Sequence, residues 1–194
     1  MGSGVTNVLL CGTGGQGILL ASEILGSAAM LSGLDVKKSE VHGMAQRGGS
    51  VVSHVRFGSR VHSPLVEEGT ADLVLAMEKL EALRWAHFLA REGKALVCDL
   101  EIMPLTVNTG AAEYPDVYAA LDSMGVDWKP VRALEEASAL GDLRVVNTVM
   151  MGAASFFLPL EEDRWLQALK NRLPARALEV NLRAFARGRE LAGA

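Results

Sequence analysis

Gly12, Gly14, Gly15 and Gly17, with Gln16 among them, are the first residues whose types and spacing could do chemistry. Gly12-x-Gly14-x-x-Gly17 has the spacing of a dinucleotide-binding fingerprint. One glycine permits a tight turn, one lets backbone approach a pyrophosphate, and one lets a helix pack closely on a strand. Backbone N–H groups in such a loop, with the positive end of a helix behind them, favour an anion. Gln16 can add a side-chain amide to that nest. A nicotinamide dinucleotide site also wants an acidic residue roughly 20 residues further on, to hold a ribose diol. Here the region reads Lys37-Lys38-Ser39-Glu40. Glu40 comes a little late, and lysines suit a phosphate better than a diol. The motif alone leaves phosphate-ester binding, nicotinamide chemistry and a structural turn all open.

A second constellation is His42-Gly43-Met44-Ala45-Gln46-Arg47-Gly48-Gly49. Arg47, beside two glycines, lies where backbone can come close to another molecule. Its guanidinium could hold a phosphate or carboxylate in two-point geometry. The same residue would also serve in an ion pair within the domain or across a subunit interface. His42 and His54 are proton carriers by type, although lone histidines are more often hydrogen-bonded structural groups. Ser50 and Ser53 could donate to a phosphate, and Glu40 could orient His42 or an arginine of a partner. No Ser/His/Asp spacing points to a hydrolase.

These residues need elements to hold them. Val8 to Leu10 form an apolar run before the glycine loop, and Ile18, Ala21, Leu25 and Ala28 recur after it at helical spacing. Strand, loop and helix open a βαβ unit. Gly33 ends the helix, and Asp35 to Val41 can form the next strand. Val51, Ser53, Val55 and Phe57 alternate with Val52, His54 and Arg56, which is strand periodicity. Gly58-Ser59 then turns the chain, and Val61 to Ser63 could return as the second arm of a hairpin. Further strands are expected at Ala71 to Ala76, Ala95 to Cys98, Leu105 to Val107 and Lys129 to Val131. Leu80, Leu83, His87 and Ala90 give a helix face with Gly93 as its stop, and Val117 to Met124 a short helix. Three helices fill the last third, at 145–158, 161–173 and 175–191, divided by Pro159 and Pro174. The expected fold class is α/β: one Rossmann-like domain over 1–194, a mostly parallel sheet with helices on both faces and an inserted β-hairpin.

With 19 Lys and Arg against 23 Asp and Glu, the chain has a formal charge of −4. That balance argues against nucleic acid as a partner, because such affinity comes from clustered cations over phosphates. The apolar stretches are too short or too interrupted for a membrane span of ~20 residues. The opening has no cleavage-site pattern after its apolar run, so a cytoplasmic protein is expected. A mean hydropathy of +0.21 is consistent with a large α/β core or a surface covered by a partner. Cys11 and Cys98, the two cysteines, each end an apolar run and are expected as buried strand thiols. Without any C-x-x-C, the chain by itself cannot hold an Fe–S cluster and no metal site is expected.

The run from Ser39 to Gly49, followed by Val51-x-Ser53-His54-Val55-Arg56, resembles the gamma-type subunit or domain of the pyruvate/2-oxoacid:ferredoxin oxidoreductase family, with its indolepyruvate branch favoured. The glycine loop matches the same pattern, as do Ser63-Pro64, Ala71-Asp72, Asn147 through Gly152-Ala153, and Glu179-x-Asn181-x-x-Ala184-Phe185. The likeness implies a subunit that is inactive alone, serving the oxidative decarboxylation of a 2-oxoacid to an acyl-CoA with electrons passed to ferredoxin. Thiamine diphosphate and [4Fe–4S] clusters would reside on a larger alpha subunit. Gly12 to Gly17 could then cradle the diphosphate of CoA, and Arg47 and His42 would stand at the rim of the active site.

Overall fold

Strand β1 (Thr6–Thr13) lies in the middle of the molecule, and Val8, Leu9, Leu10 and Cys11 have no exposed surface. Each full burial of such a side chain contributes ~2 kcal/mol. Successive residues point to opposite faces. Val8 and Leu10 accordingly join one hydrophobic core, and Leu9 and Cys11 join another on the far side of the sheet. The computed structural model describes residues 4–42 and 49–193, with only the backbone of His42.

Helix α1 (Ile18–Leu31) follows the glycine loop, and Gly33, at φ 78°, ends it as the sequence implies. The remaining strands are β2 (Asp35–His42), β3 (Ser50–Gly58), β4 (Ala71–Ala76), β5 (Leu89–Cys98) and β6 (Asp127–Val131). They form one six-stranded sheet in the order β2-β3-β1-β4-β5-β6. β1, β4, β5 and β6 pair in parallel, whereas β3 is antiparallel to both β1 and β2. The chain leaves β1, crosses over through α1 to a strand two places away, and returns as β3 to fill the gap.

The α/β class and the inserted hairpin are therefore present, but the arms of the hairpin differ from expectation. β3 pairs with β2, and Val61 to Ser63 form no strand. The reason is that a strand has two edges, and those of β3 are already taken by β1 and β2. Instead, the Arg56 guanidinium holds this loop by donating to the carbonyls of Ser63 at 3.0 Å and Leu65 at 3.2 Å.

Two more expectations are corrected. Helix α2 (Lys79–Trp85) stops early, a 3-10 turn covers Ala86–Phe88, and Gly93 lies inside β5. Here the β4–β5 register shifts, and a Cβ on Gly93 would collide with the carbonyl oxygen of Ala71. That glycine serves close backbone approach, not a helix cap. Leu105 to Val107 lie in a single helical turn, α3 (Leu105–Asn108), because Pro104 opens it and Gly110, at φ 73°, closes it. A three-residue segment is too short for its period to distinguish strand from helix.

α4 (Val117–Ser123) stands as expected, whereas α5 (Ala133–Ala139) went unread in its alanine-rich stretch. α6 (Val146–Phe157), α7 (Glu162–Arg172) and α8 (Ala175–Gly193) follow the proline punctuation. α6 and α8 meet backbone to backbone: a Cβ on Gly152 would strike the Phe185 carbonyl, and one on Gly188 the Val149 carbonyl. Residues of α1, α5, α6, α7 and α8 share one core, and those of α2 and α4 the other, so helices cover both faces.

Candidate functional site

The parallel strands β1 and β4 lie side by side, yet α1 leaves for one face of the sheet and α2 for the other. The carboxyl ends of these strands flank a topological switch point, where open α/β sheets leave a crevice for ligands. The glycine loop occupies that place. The Gly14 N–H donates to the Gly49 carbonyl at 2.9 Å, and the Gln16 N–H to the Thr13 carbonyl at 3.2 Å. Gly15 and Gly17 adopt φ of 105° and 77°, which other residues reach only under strain. No side chain caps α1 at Gly17, so its first amides depend on whatever sits before them.

Gln16 has a different duty from a free anion donor. Its Oε1 accepts from the Thr13 N–H at 2.6 Å, and its Nε2 donates to the Met77 carbonyl at 2.9 Å. Both ends of the amide fasten the loop to its own fold and to the residue after β4. Gly12 is required because a Cβ there would press on Gln16, Ile18 and Met77.

Recesses open on both sides of the loop. One, of about 380 Å³, has walls from Leu20, Met77, Leu100 and Leu134, with Arg144 and Asn147 among its polar lining. The other, of about 310 Å³, is bounded by Thr13, Gly14, Leu19 and Val51. Gly15 and Gly17 line both. Asn147 is buried, and its Nδ2 donates at 3.4 Å to the Gly17 carbonyl. A Cβ on Gly17 would strike this same amide. Behind it, the Thr148 hydroxyl donates to Asn181 Oδ1 at 2.6 Å, joining α6 to α8. Arg144 is tied by its fork to Asp142, at 2.8 and 2.7 Å, and this guanidinium holds the Asp142 carboxyl down to about 2.

Two buried carboxylates that sequence reasoning missed stand at the start of α2. Glu78 is 1% exposed and accepts from the Tyr114 hydroxyl at 2.9 Å and from the N–H groups of Ile102 and Glu81. Glu81 is 3% exposed and accepts from Ser50, Arg84 and Trp85. Their signal was weak, since a Glu pair at i, i+3 on a short helix ordinarily marks a solvated face.

The other candidates are dispersed. Ser50 gives its hydroxyl proton to Glu81 at 2.5 Å, and is thereby committed within the fold. Ser53 is fully buried, and its hydroxyl has no hydrogen-bond partner among the described residues. His54 accepts the Val66 N–H on Nδ1 at 3.2 Å and packs edge-on against Phe88. Burial lowers its pKa, so it is a neutral structural imidazole. Glu40 pairs with Lys38 at 2.9 Å and receives the Ser22 hydroxyl at 3.4 Å. His42 ends β2 at the carboxyl end of β1, and its side chain is outside the described residues, as is all of Arg47. Cys11 and Cys98 are free and buried, and burial drives both thiols upward, Cys98 to about 12. Neither is a thiolate at neutral pH.

The model of the family described as pyruvate ferredoxin/flavodoxin oxidoreductase matches residues 7–191. Over 187 residues the chain is 38% identical to indolepyruvate oxidoreductase subunit IorB of Methanothermobacter thermautotrophicus, covering 94% of this chain and 95% of that protein. Its fold is similar to that of the gamma subunit of a keto/oxoacid ferredoxin oxidoreductase from Geobacter sulfurreducens. That likeness has a TM-score of 0.72 at 23% identity, covering 96% of this chain and 98% of the other. A similar fold, with a TM-score of 0.77 at 20% identity, occurs in the 2-oxoglutarate:ferredoxin oxidoreductase from Magnetococcus marinus with 2-oxoglutarate, coenzyme A and succinyl-CoA bound. There 97% of this chain aligns with 31% of that one.

Proposed function

We propose, for a chain that belongs to the pyruvate ferredoxin/flavodoxin oxidoreductase family, the role of an accessory subunit whose glycine loop holds CoA. It serves a cytoplasmic enzyme that decarboxylates indolepyruvate or a related aryl 2-oxoacid to the acyl-CoA and passes two electrons to ferredoxin. The near full-length likeness to an indolepyruvate oxidoreductase subunit supports the reaction class. Thiamine diphosphate and [4Fe–4S] clusters, which supply decarboxylation and electron transfer, belong in this reading to a larger alpha subunit. The described residues offer no site for a cluster here: both cysteines are buried, and no group of three or more His, Cys, Asp or Glu is arranged to hold a metal.

The observation that carries the reading is the uncapped start of α1 behind Gly15 and Gly17, at the switch point and between two recesses. Its free amides and helix dipole suit the diphosphate of CoA. The recesses offer apolar walls to the rest of that cofactor. Gln16 keeps the loop in shape, while Arg47 and His42 remain proposed contacts at the rim. A nicotinamide role is disfavoured because Glu40, the acid in the ribose position, is engaged by Lys38 and Ser22.

The test is co-expression with the larger subunit, followed by arylpyruvate-dependent dye or ferredoxin reduction with CoA titrated. Replacing Gly15 by Val should raise the KM for CoA by at least about 10-fold, because a β-branched residue is strained at positive φ and narrows both recesses. Full CoA-dependent turnover by the larger subunit alone, or an unchanged KM in the variant, would overturn the assignment.

A further inference from the structure

We infer that Glu81 is a positioning residue, whose buried carboxylate fixes the Gly14 corner of the glycine loop through Ser50 and Gly49. Its bearing on turnover rests on the proposal that this loop holds CoA. The carboxylate has three side-chain partners. Trp85 Nε1 donates to Oε2 at 3.2 Å and Arg84 Nη1 to Oε1 at 2.6 Å, both from within α2. The third, the Ser50 hydroxyl, donates to Oε2 at 2.5 Å from the first residue of β3.

This third bond alone leaves the helix. Ser50 stands opposite Thr13 in the β1–β3 ladder. The carbonyl of Gly49, one residue earlier, accepts the N–H of Gly14 at 2.9 Å. A continuous path therefore runs from α2, on one face of the sheet, to the loop that begins α1 on the other. A second tie reinforces it, since Cys11 Sγ–H donates to the Glu81 carbonyl at 3.6 Å.

A carboxylate at this place is costly, because removing a charge from water is repaid only when its partners are complete and well placed. Helix packing would be served as well by Leu or Met. What a buried charge adds is a short, directional bond that holds one backbone corner in one place.

The experiment uses the assembled complex with Ser50→Ala, Ser50→Thr and Glu81→Gln. Hydrogen exchange across residues 12–17 reads the positioning directly, without CoA. Kinetics then read KM for CoA against KM for the 2-oxoacid. Ser50→Ala and Glu81→Gln should speed exchange in that segment and raise the KM for CoA about 10-fold, the scale of one lost bond to a charged group. The KM for the 2-oxoacid should stay near its starting value. Ser50→Thr should restore both readouts. Unchanged exchange in Ser50→Ala would overturn the inference even where Glu81→Gln fails to assemble. So would a parallel rise in both KM values, which marks a merely structural bond. Faster exchange with an unchanged KM for CoA would uphold the positioning and remove CoA from the loop.

Discussion

Most residues at the carboxyl end of the sheet contribute by holding one another. Gln16 shows this well: both ends of its amide are bound to backbone, so replacing it by Leu should loosen the Thr13–Gly17 loop. Each lost bond to a buried partner costs about 1–3 kcal/mol, and urea titration of the variant should show a drop of that size. His54 offers a second prediction. Burial lowers its folded pKa below the ordinary 6.5, so the unfolded chain binds the proton more readily. Its contribution is fully present above pH ~6.5 and is lost as pH falls through the folded value. The urea midpoint should therefore fall between neutral and mildly acid pH, and His54→Gln should flatten that fall. An equally steep profile in the variant would place the proton elsewhere.

Among the elements, the α6–α8 contact sets the tightest demand. Gly152 and Gly188 bring two helices close enough that either Cβ would meet a carbonyl oxygen of the other helix. Ala at either position must push the helices apart and strip contact from Met150, Phe185 and Trp165. A loss of about 3 kcal/mol or more is expected, the scale of an overpacked core, and thermal denaturation will measure it. This contact also bears on the glycine loop, because α6 supplies Asn147 to Gly17 and α8 supplies Asn181 to Thr148. The same pair of helices therefore backs the first turn of α1. Gly188→Ala should consequently affect ligand binding at the loop as well as stability, whereas Gly93→Ala, inside β5 against the amino end of β4, should cost stability alone.

At the scale of the molecule, the described residues around the glycine loop line two recesses and bring no set of groups together there that could decarboxylate a 2-oxoacid. Its titratable groups near the loop are paired, buried or neutral among the described residues: Glu78, Glu81, Cys11 and Cys98. That suits a subunit which contributes a binding surface and leaves the chemistry to a partner. A tagged chain drawn from its native cell extract under nitrogen should bring with it a larger protein containing iron and thiamine. Purified alone, it should be colourless and inactive. Recovery of a chain fully active without a partner would contradict the accessory role. No helix among the described residues is long and apolar enough to cross a membrane.

The sequence by itself determined the βα opening, the helical last third and the family, because these rest on local spacing: apolar periods, glycine placement, proline breaks and one continuous motif. It also led to the expectation that Fe–S chemistry lies on another subunit, since two isolated cysteines do not make a cluster site. Tertiary structure alone decided which strands pair. β3 alternates as cleanly as any hairpin arm, but edge occupancy, a property of the whole sheet, gave it β2 and β1 as neighbours in place of 61–63. It also decided the duties of Gln16, Ser50, His54, Glu78 and Glu81. Residue type gives a side chain's capacity to donate, accept or carry a proton. Which capacity is used depends on partners tens of residues away in sequence, as with Ser50 and Glu81, and only the folded chain brings these together.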